Sequence, residues 1–313
     1  MLAQPCPPVL LIVFKRPDVT QKVFARIREA RPAQFFVAAD GPRPDHFGEE
    51  QLCAATRQVV QQVDWASEVK TLFRDNNLGC GRGVSSAIDW FFEHVESGII
   101  LEDDCLPSES FFSFCGQMLS HYRHDTRVVS VSGTNVLGRW KETSNAYLFS
   151  YYGGNWGWAT WRRAWRLFDD RMTLWQTPAN RKYLEYVLAN KAQADSVATW
   201  FNSVSGNKRP DVWDYQWFCS RLMSSGLNIV PAHNLVSNIG FGEAATHTRG
   251  SSALMNLPRY TIELPVAINP IVVVDRRFDA ENARIYGLSR QNRLQLAPLA
   301  KLASCVKNRR FRT

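Results

Sequence analysis

Between residues 9 and 133, short apolar stretches alternate with stretches of helical spacing, and this rhythm leaves the chain few folds to adopt. "VLLIVF" (9–14) reads as a buried strand; Pro17 then sits where a helix starts, ahead of an amphipathic stretch to about residue 30. "QFFVAAD" (34–40) is a second strand, closed by the turn "DGPRP". A polar helix fits 48–63, and "SEVKTLF" (67–73) alternates as a third strand. Val84, Ala87, Ile88, Phe91, Phe92 and Val95 recur at helical spacing. "GIILEDD" (98–104), a helix opened by Pro107, and "RVVSVSG" (127–133) continue the series. Such a βαβα order predicts an α/β fold: a doubly wound, mainly parallel sheet with helices on both faces. Sheets of this kind bind ligands beyond the carboxyl ends of their strands. Asp40, the turn after residue 73 and the acidic triplet Glu102, Asp103 and Asp104 all fall there.

Beyond residue 140 the composition changes, and nine of the eleven tryptophans lie between 140 and 217. Helices are expected at 158–168, 180–204 and 214–224, with a strand at "LNIVPA"; the last fifty residues read as an irregular wrap and a basic tail. A composition of 45% hydrophobic and 21% charged residues excludes a disordered or membrane-spanning chain. "PPVLLIVF" has about half the length of a spanning or signal segment and no basic residues before it, so export is not expected. Seven scattered cysteines without CxxC spacing argue against a disulfide framework and against zinc, and suit a reducing cytoplasm. The net charge of +8 resides in the tail: after Glu281 come eight basic residues and no acid, while the rest of the chain balances 29 against 29. A neutral body argues against nucleic acid as a partner. The tail reads either as a solvated terminus or as a peripheral contact with anionic lipid at the inner face of a membrane.

Three adjacent carboxylates repel one another at neutral pH unless they are solvated or share a cation. At a strand end they read either as surface charge or as oxygen ligands for Mn²⁺ or Mg²⁺, which bind through one or two carboxylates plus substrate phosphates. "RDNNLGCGRG" (74–83) brings Gly79, Gly81 and Gly83 to a helix start, where backbone N–H groups favour phosphate, and Arg82 offers a forked contact to a diphosphate. It is neither the dinucleotide fingerprint nor a Walker loop. "DVWDYQWF" (211–218) places Asp211 and Asp214 among aromatic residues, where a carboxylate can take a hydroxyl proton. Asp214 also suits a helix cap. His247 closes a glycine-containing loop and has no histidine near it in sequence.

Taken in order, these motifs resemble nucleotide-sugar-dependent glycosyltransferases of the GT-A fold. They are similar above all to the inverting N-acetylglucosaminyltransferase I type and its bacterial surface-polysaccharide relatives. The resemblance spans about residues 8–250 and implies roles residue by residue. "VAADGP" resembles the segment whose aspartate contacts the nucleotide, here Asp40; "NLGCGRG" implies Gly79 and Arg82 beside it. "LEDD" resembles the DxD motif, which implies Asp104 as metal ligand with Glu102 and Asp103 beside the sugar and ribose. "WDYQW" resembles the catalytic-base segment, giving Asp214, although Trp213 stands where the family often has Glu; His247 resembles a histidine used on the metal or diphosphate. The implied domain is 1–250, with a nucleotide-sugar-binding half (8–139) and a tryptophan-rich acceptor half (140–250), followed by the wrap at 251–313. The implied partners are a nucleoside-diphosphate sugar donor and a carbohydrate or lipid-linked glycan acceptor. Most tryptophans are expected in the core, with Trp156 and Trp158 presented to the acceptor. Two other readings are a sugar-phosphate nucleotidyltransferase, which normally has a glycine-rich loop after its first strand where this chain has "FKRPDVTQ", and a carbohydrate-binding protein without catalysis.

Overall fold

The computed structural model describes residues 5–140, 145–188, 190–206, 211–240 and 256–286. The first half follows the expected alternation: β1 (Val9–Val13), α1 (Pro17–Ala30), β2 (Gln34–Ala39), α2 (Glu49–Val60), β3 (Glu68–Phe73), α3 (Gly79–His94) and β4 (Ser97–Glu102). Then come β5 (Cys105–Pro107), α4 (Glu109–His121), β6 (Val128–Ser132), β7 (Tyr147–Ser150), β8 (Trp158–Trp161) and α5 (Arg162–Trp165). The helical region holds α6 (Thr173–Gln176), a 3₁₀ turn (Pro178–Tyr183), α7 (Leu184–Val187), α8 (Lys191–Val204) and α9 (Asp214–Met223). The chain closes with β9 (Leu227–Pro231), β10 (Val236–Asn238) and α10 (Arg276–Ile285).

Eight strands form one sheet in the order β3-β2-β1-β4-β8-β6-β9-β7. β3, β2, β1 and β4 run parallel, β8 and β7 are antiparallel to their neighbours, and β6 pairs in parallel with β9, so six of the eight strands share one direction. α1 and α2 pack against each other, and since the connection from β3 to β4 passes back across β2 and β1, the right-handed rule for parallel crossovers puts α3 on the opposite face. This is the doubly wound, mainly parallel sheet read from the sequence. All five residues of β1 are buried, as a strand covered on both faces requires. On α3, Val84, Ala87, Ile88, Phe91 and Phe92 form the buried face that the spacing indicated.

The second half departs from expectation at three places. The helix expected at 158–168 is β8 followed by the single turn α5; all four β8 residues are buried on both sides and so give no period-two pattern. The helix expected at 180–204 is broken into the 3₁₀ turn, α7 and α8, where Asn190 caps α8 by accepting from the Gln193 N–H. The C-terminal wrap is irregular from 256 to 275 but then forms α10, whose Phe278 and Ala283 are buried. Around Trp175, Phe201, Cys219 and Leu222 a second apolar cluster holds α6 to α9 together beside the sheet. The six described cysteines are free thiols, and no described helix is long and apolar enough to cross a membrane. The basic tail beyond residue 286 lies outside the described residues.

Candidate functional site

A cavity of about 320 Å³ opens at the carboxyl edge of β1, β2, β3 and β4. Each strand delivers polar residues there just past its carboxyl end: Arg16 after β1, Asp40 after β2, Arg74 after β3, and Asp103 and Asp104 after β4. Between β1 and β4 the strand order reverses, which is where a doubly wound sheet leaves a crevice. Asp211, Trp213 and Asp214 close the cavity from more than 100 residues away in the chain, and Trp156 completes the wall.

Of the residues singled out in the sequence, Asp40, Gly79, Glu102, Asp103, Asp104 and Asp214 all line this one cavity. Asp40 is fixed by its backbone neighbours: the Leu78 N–H donates to both carboxylate oxygens at 3.0 Å and the Gly41 N–H to one at 3.1 Å. Burial raises its pKa, and these N–H groups partly oppose the rise. Arg82 is exposed on the first turn of α3 and is not part of the cavity wall; the arginines that line it are Arg16, Arg43 and Arg74. His247 lies outside the described residues. Trp158 is 1% exposed and packs in the core against Trp213, Trp165 and Trp217, so it offers no face to an acceptor; Trp156 keeps its place on the cavity wall. Asp214 is the first residue of α9, and no side-chain cap bond closes that helix.

The acidic triplet is organised by a residue that the sequence reading passed over. Arg16 donates from Nε to Asp103 at 3.1 Å, from Nη2 to both Asp103 and Asp104 (the latter at 2.9 Å), and from Nη1 to the Gly240 carbonyl at 3.3 Å. Burial works against the guanidinium charge, but the two carboxylates outweigh it and raise the Arg16 pKa. Asp103, 5% exposed, is held by this fork; burial raises its pKa and Arg16 opposes the rise. Glu102 has its pKa raised by burial first and then by the charges of Asp104, Asp103 and Asp214. The sequence offers only the adjacent pair Lys15 and Arg16 between β1 and Pro17, with nothing local to single out Arg16. Arg43 is braced likewise, forking onto Glu49, which also receives Lys15 at 2.6 Å; with Arg43 the main cause, the Glu49 pKa is lowered to about 2.

Six carboxylates and three guanidinium groups line the cavity, an excess of negative charge made of hard oxygen donors. That donor set fits Mn²⁺ or Mg²⁺ held by one or two carboxylates, with water and substrate phosphate supplying the remaining positions. Among the described residues no three His, Cys, Asp or Glu side chains converge into a cage for a metal ion. Asp104 has partners on both oxygens: Arg16 donates to Oδ2, and Oδ1 receives the weak Cys105 thiol contact at 3.6 Å.

No protein-family model and no curated protein sequence matches the chain. Among solved structures, a UDP-glucose pyrophosphorylase complexed with UDP-glucose aligns over 74% of this chain and 92% of its own, at 8% identity and a TM-score of 0.33. Sheet order and strand direction, not that likeness, define the fold.

Proposed function

We propose that the protein is a glycosyltransferase that moves a sugar from a nucleoside-diphosphate donor to a hydroxyl of a carbohydrate or lipid-linked glycan, with inversion and with a divalent cation. One observation carries this reading: a single cavity at the switch point of the sheet gathers Asp40, the Glu102–Asp104 triplet and Asp214 from separate parts of the chain. In this reading Asp40 and the backbone around Leu78 face the nucleoside, and Asp104, oriented by Arg16, holds Mn²⁺ or Mg²⁺. The cation supplies charge stabilisation for the departing diphosphate. Asp214 accepts the acceptor hydroxyl proton as that oxygen bonds to the anomeric carbon; the bond from that carbon to the diphosphate oxygen breaks, and its electron pair leaves with the diphosphate. Trp156 offers an aromatic surface to a sugar ring.

A panel of UDP-, GDP- and dTDP-sugars, screened for thermal stabilisation with and without Mn²⁺, tests the reading, because a ligand selective for the folded state raises apparent stability. One nucleotide class should stabilise the protein more with Mn²⁺ than without, and its sugar should be lost with release of a nucleoside diphosphate. The nucleotidyltransferase reading draws on the same arginines at the cavity wall, which suit a triphosphate. It predicts pyrophosphate release from a nucleoside triphosphate and a sugar 1-phosphate, and that product would replace the first reading.

A further inference from the structure

Asp211 is a carboxylate of the cavity whose geometry the reading above leaves unused. It accepts the Cys80 N–H at 2.7 Å and the Gly81 N–H at 2.6 Å, each from about 130 residues away in the chain. These N–H groups belong to the first turn of α3, where they have no partner inside the helix and carry the positive end of its dipole. A carboxylate there makes charge-assisted bonds, stronger than neutral ones. Two of the three glycines of "GCGRG", Gly79 and Gly81, are explained by this docking. A Cβ on Gly79, already at a φ of +80°, would lie 2.4 Å from Asp211 Oδ2, and one on Gly81 would lie 2.9 Å from the Val212 carbonyl oxygen. The loop is thus seated on α3 closely enough to exclude a methyl group.

Two residues further on, Trp213 is 4% exposed and stacks on Trp158, with centroids 5.8 Å apart and planes 21° from parallel. Asp214 follows immediately as the first residue of α9. The segment that delivers Asp214 is therefore pinned twice within three residues, by Asp211 on α3 and by Trp213 in the core.

Resting on the reading of Asp214 as the base, we propose that Asp211 is a positioning residue: it latches the 211–214 segment to the amino end of α3 and so fixes where Asp214 stands against the acid-lined end of the cavity. A displacement of about 1 Å in a catalytic group can cost on the order of 100-fold in rate. The latch should therefore act on turnover and leave nucleotide binding alone.

The test uses UDP-N-acetylglucosamine as donor probe, with UDP release as the rate, UDP affinity by calorimetry, and amide hydrogen exchange on the full chain. Asp211→Ala should lower kcat by about 10- to 100-fold. It should leave KM and UDP affinity unchanged and speed exchange at 80–81 and 212–216 but not in β1 to β4. Asp211→Asn, which keeps one acceptor oxygen, should fall between. Gly81→Ala, with Asp211 intact, should reproduce the kcat loss by displacing Val212. Wild-type kcat in Asp211→Ala, unchanged exchange at 212–216, or a loss spread over the whole sheet together with UDP affinity would overturn the proposal; the exchange arm requires no donor. Asp214→Asn run alongside separates the two ideas. Full turnover in that variant removes the base reading, whereas an inactive Asp214→Asn beside an unimpaired Asp211→Ala removes the latch alone.

Discussion

Asp279 should make the stability of this protein decline as pH rises through neutrality, and replacing it should remove that slope. The residue lies on α10, is 1% exposed, and accepts from the Ser150 hydroxyl at the end of β7 and from the Tyr151 N–H at 3.3 Å. Burial is the main influence on its carboxyl, opposed by those two donors and by Arg276, and the pKa rises from 3.8 to about 7. Folding then binds a proton that the unfolded chain has released above pH 4. The contribution of the group is most favourable below pH 4, falls as pH climbs, and levels off above about 7. At about 1.36 kcal/mol for each pH unit of displacement, the full penalty is about 4 kcal/mol, of which about 3 kcal/mol develops between pH 5 and pH 8. The amide introduced by Asp279→Asn cannot ionise and still presents an oxygen to Ser150. Urea unfolding followed by tryptophan fluorescence at pH 5, 6.5 and 8 reads the difference. The stability of Asp279→Asn relative to wild type should improve by about 3 kcal/mol across that range. A constant gap between the two proteins would refute the assignment of the proton to Asp279.

Three further outcomes can be checked. On the glycosyltransferase reading proposed above, Asp104→Asn should abolish Mn²⁺-dependent turnover and a Mn²⁺-dependent increase in UDP affinity; unchanged calorimetric binding with Mn²⁺ would remove Asp104 from the cation. Arg16→Lys keeps the charge but cannot fork onto Asp103 while also reaching Asp104, and should cost about 1–3 kcal/mol in chemical denaturation. Trp158→Ala should cost about 3–5 kcal/mol through the cavity left among Trp165, Trp213 and Trp217, without a selective change in acceptor KM; a mild stability effect with a large acceptor effect would return Trp158 to the acceptor side.

The first half of the fold was legible because its elements alternate in period and end at turn residues, so β1 to β4 fall within a residue or two of the expected bounds. β8 was not, since a strand buried on both faces carries no alternation and its two tryptophans stand three apart, as on a helix. In the site, the acids were legible from their position at strand ends. Their partners were not: Arg16 reaches residues 87 and 88 places away, and nothing local to "FKRPDV" indicates it. Likewise the glycines after residue 78 were read as room for phosphate, whereas the folded chain fills that room with its own Asp211.

The place of β8 between β4 and β6 has a consequence for anyone who would divide this protein. β6 precedes residue 139 yet meets β4 only through a strand contributed later, so the two halves are threaded together like interlocked fingers. A fragment ending near residue 139 would leave the facing borders of β4 and β6 bare and open to pairing with other molecules. The later half therefore could not be exchanged as a cassette; any change to it would have to be made loop by loop within an intact sheet.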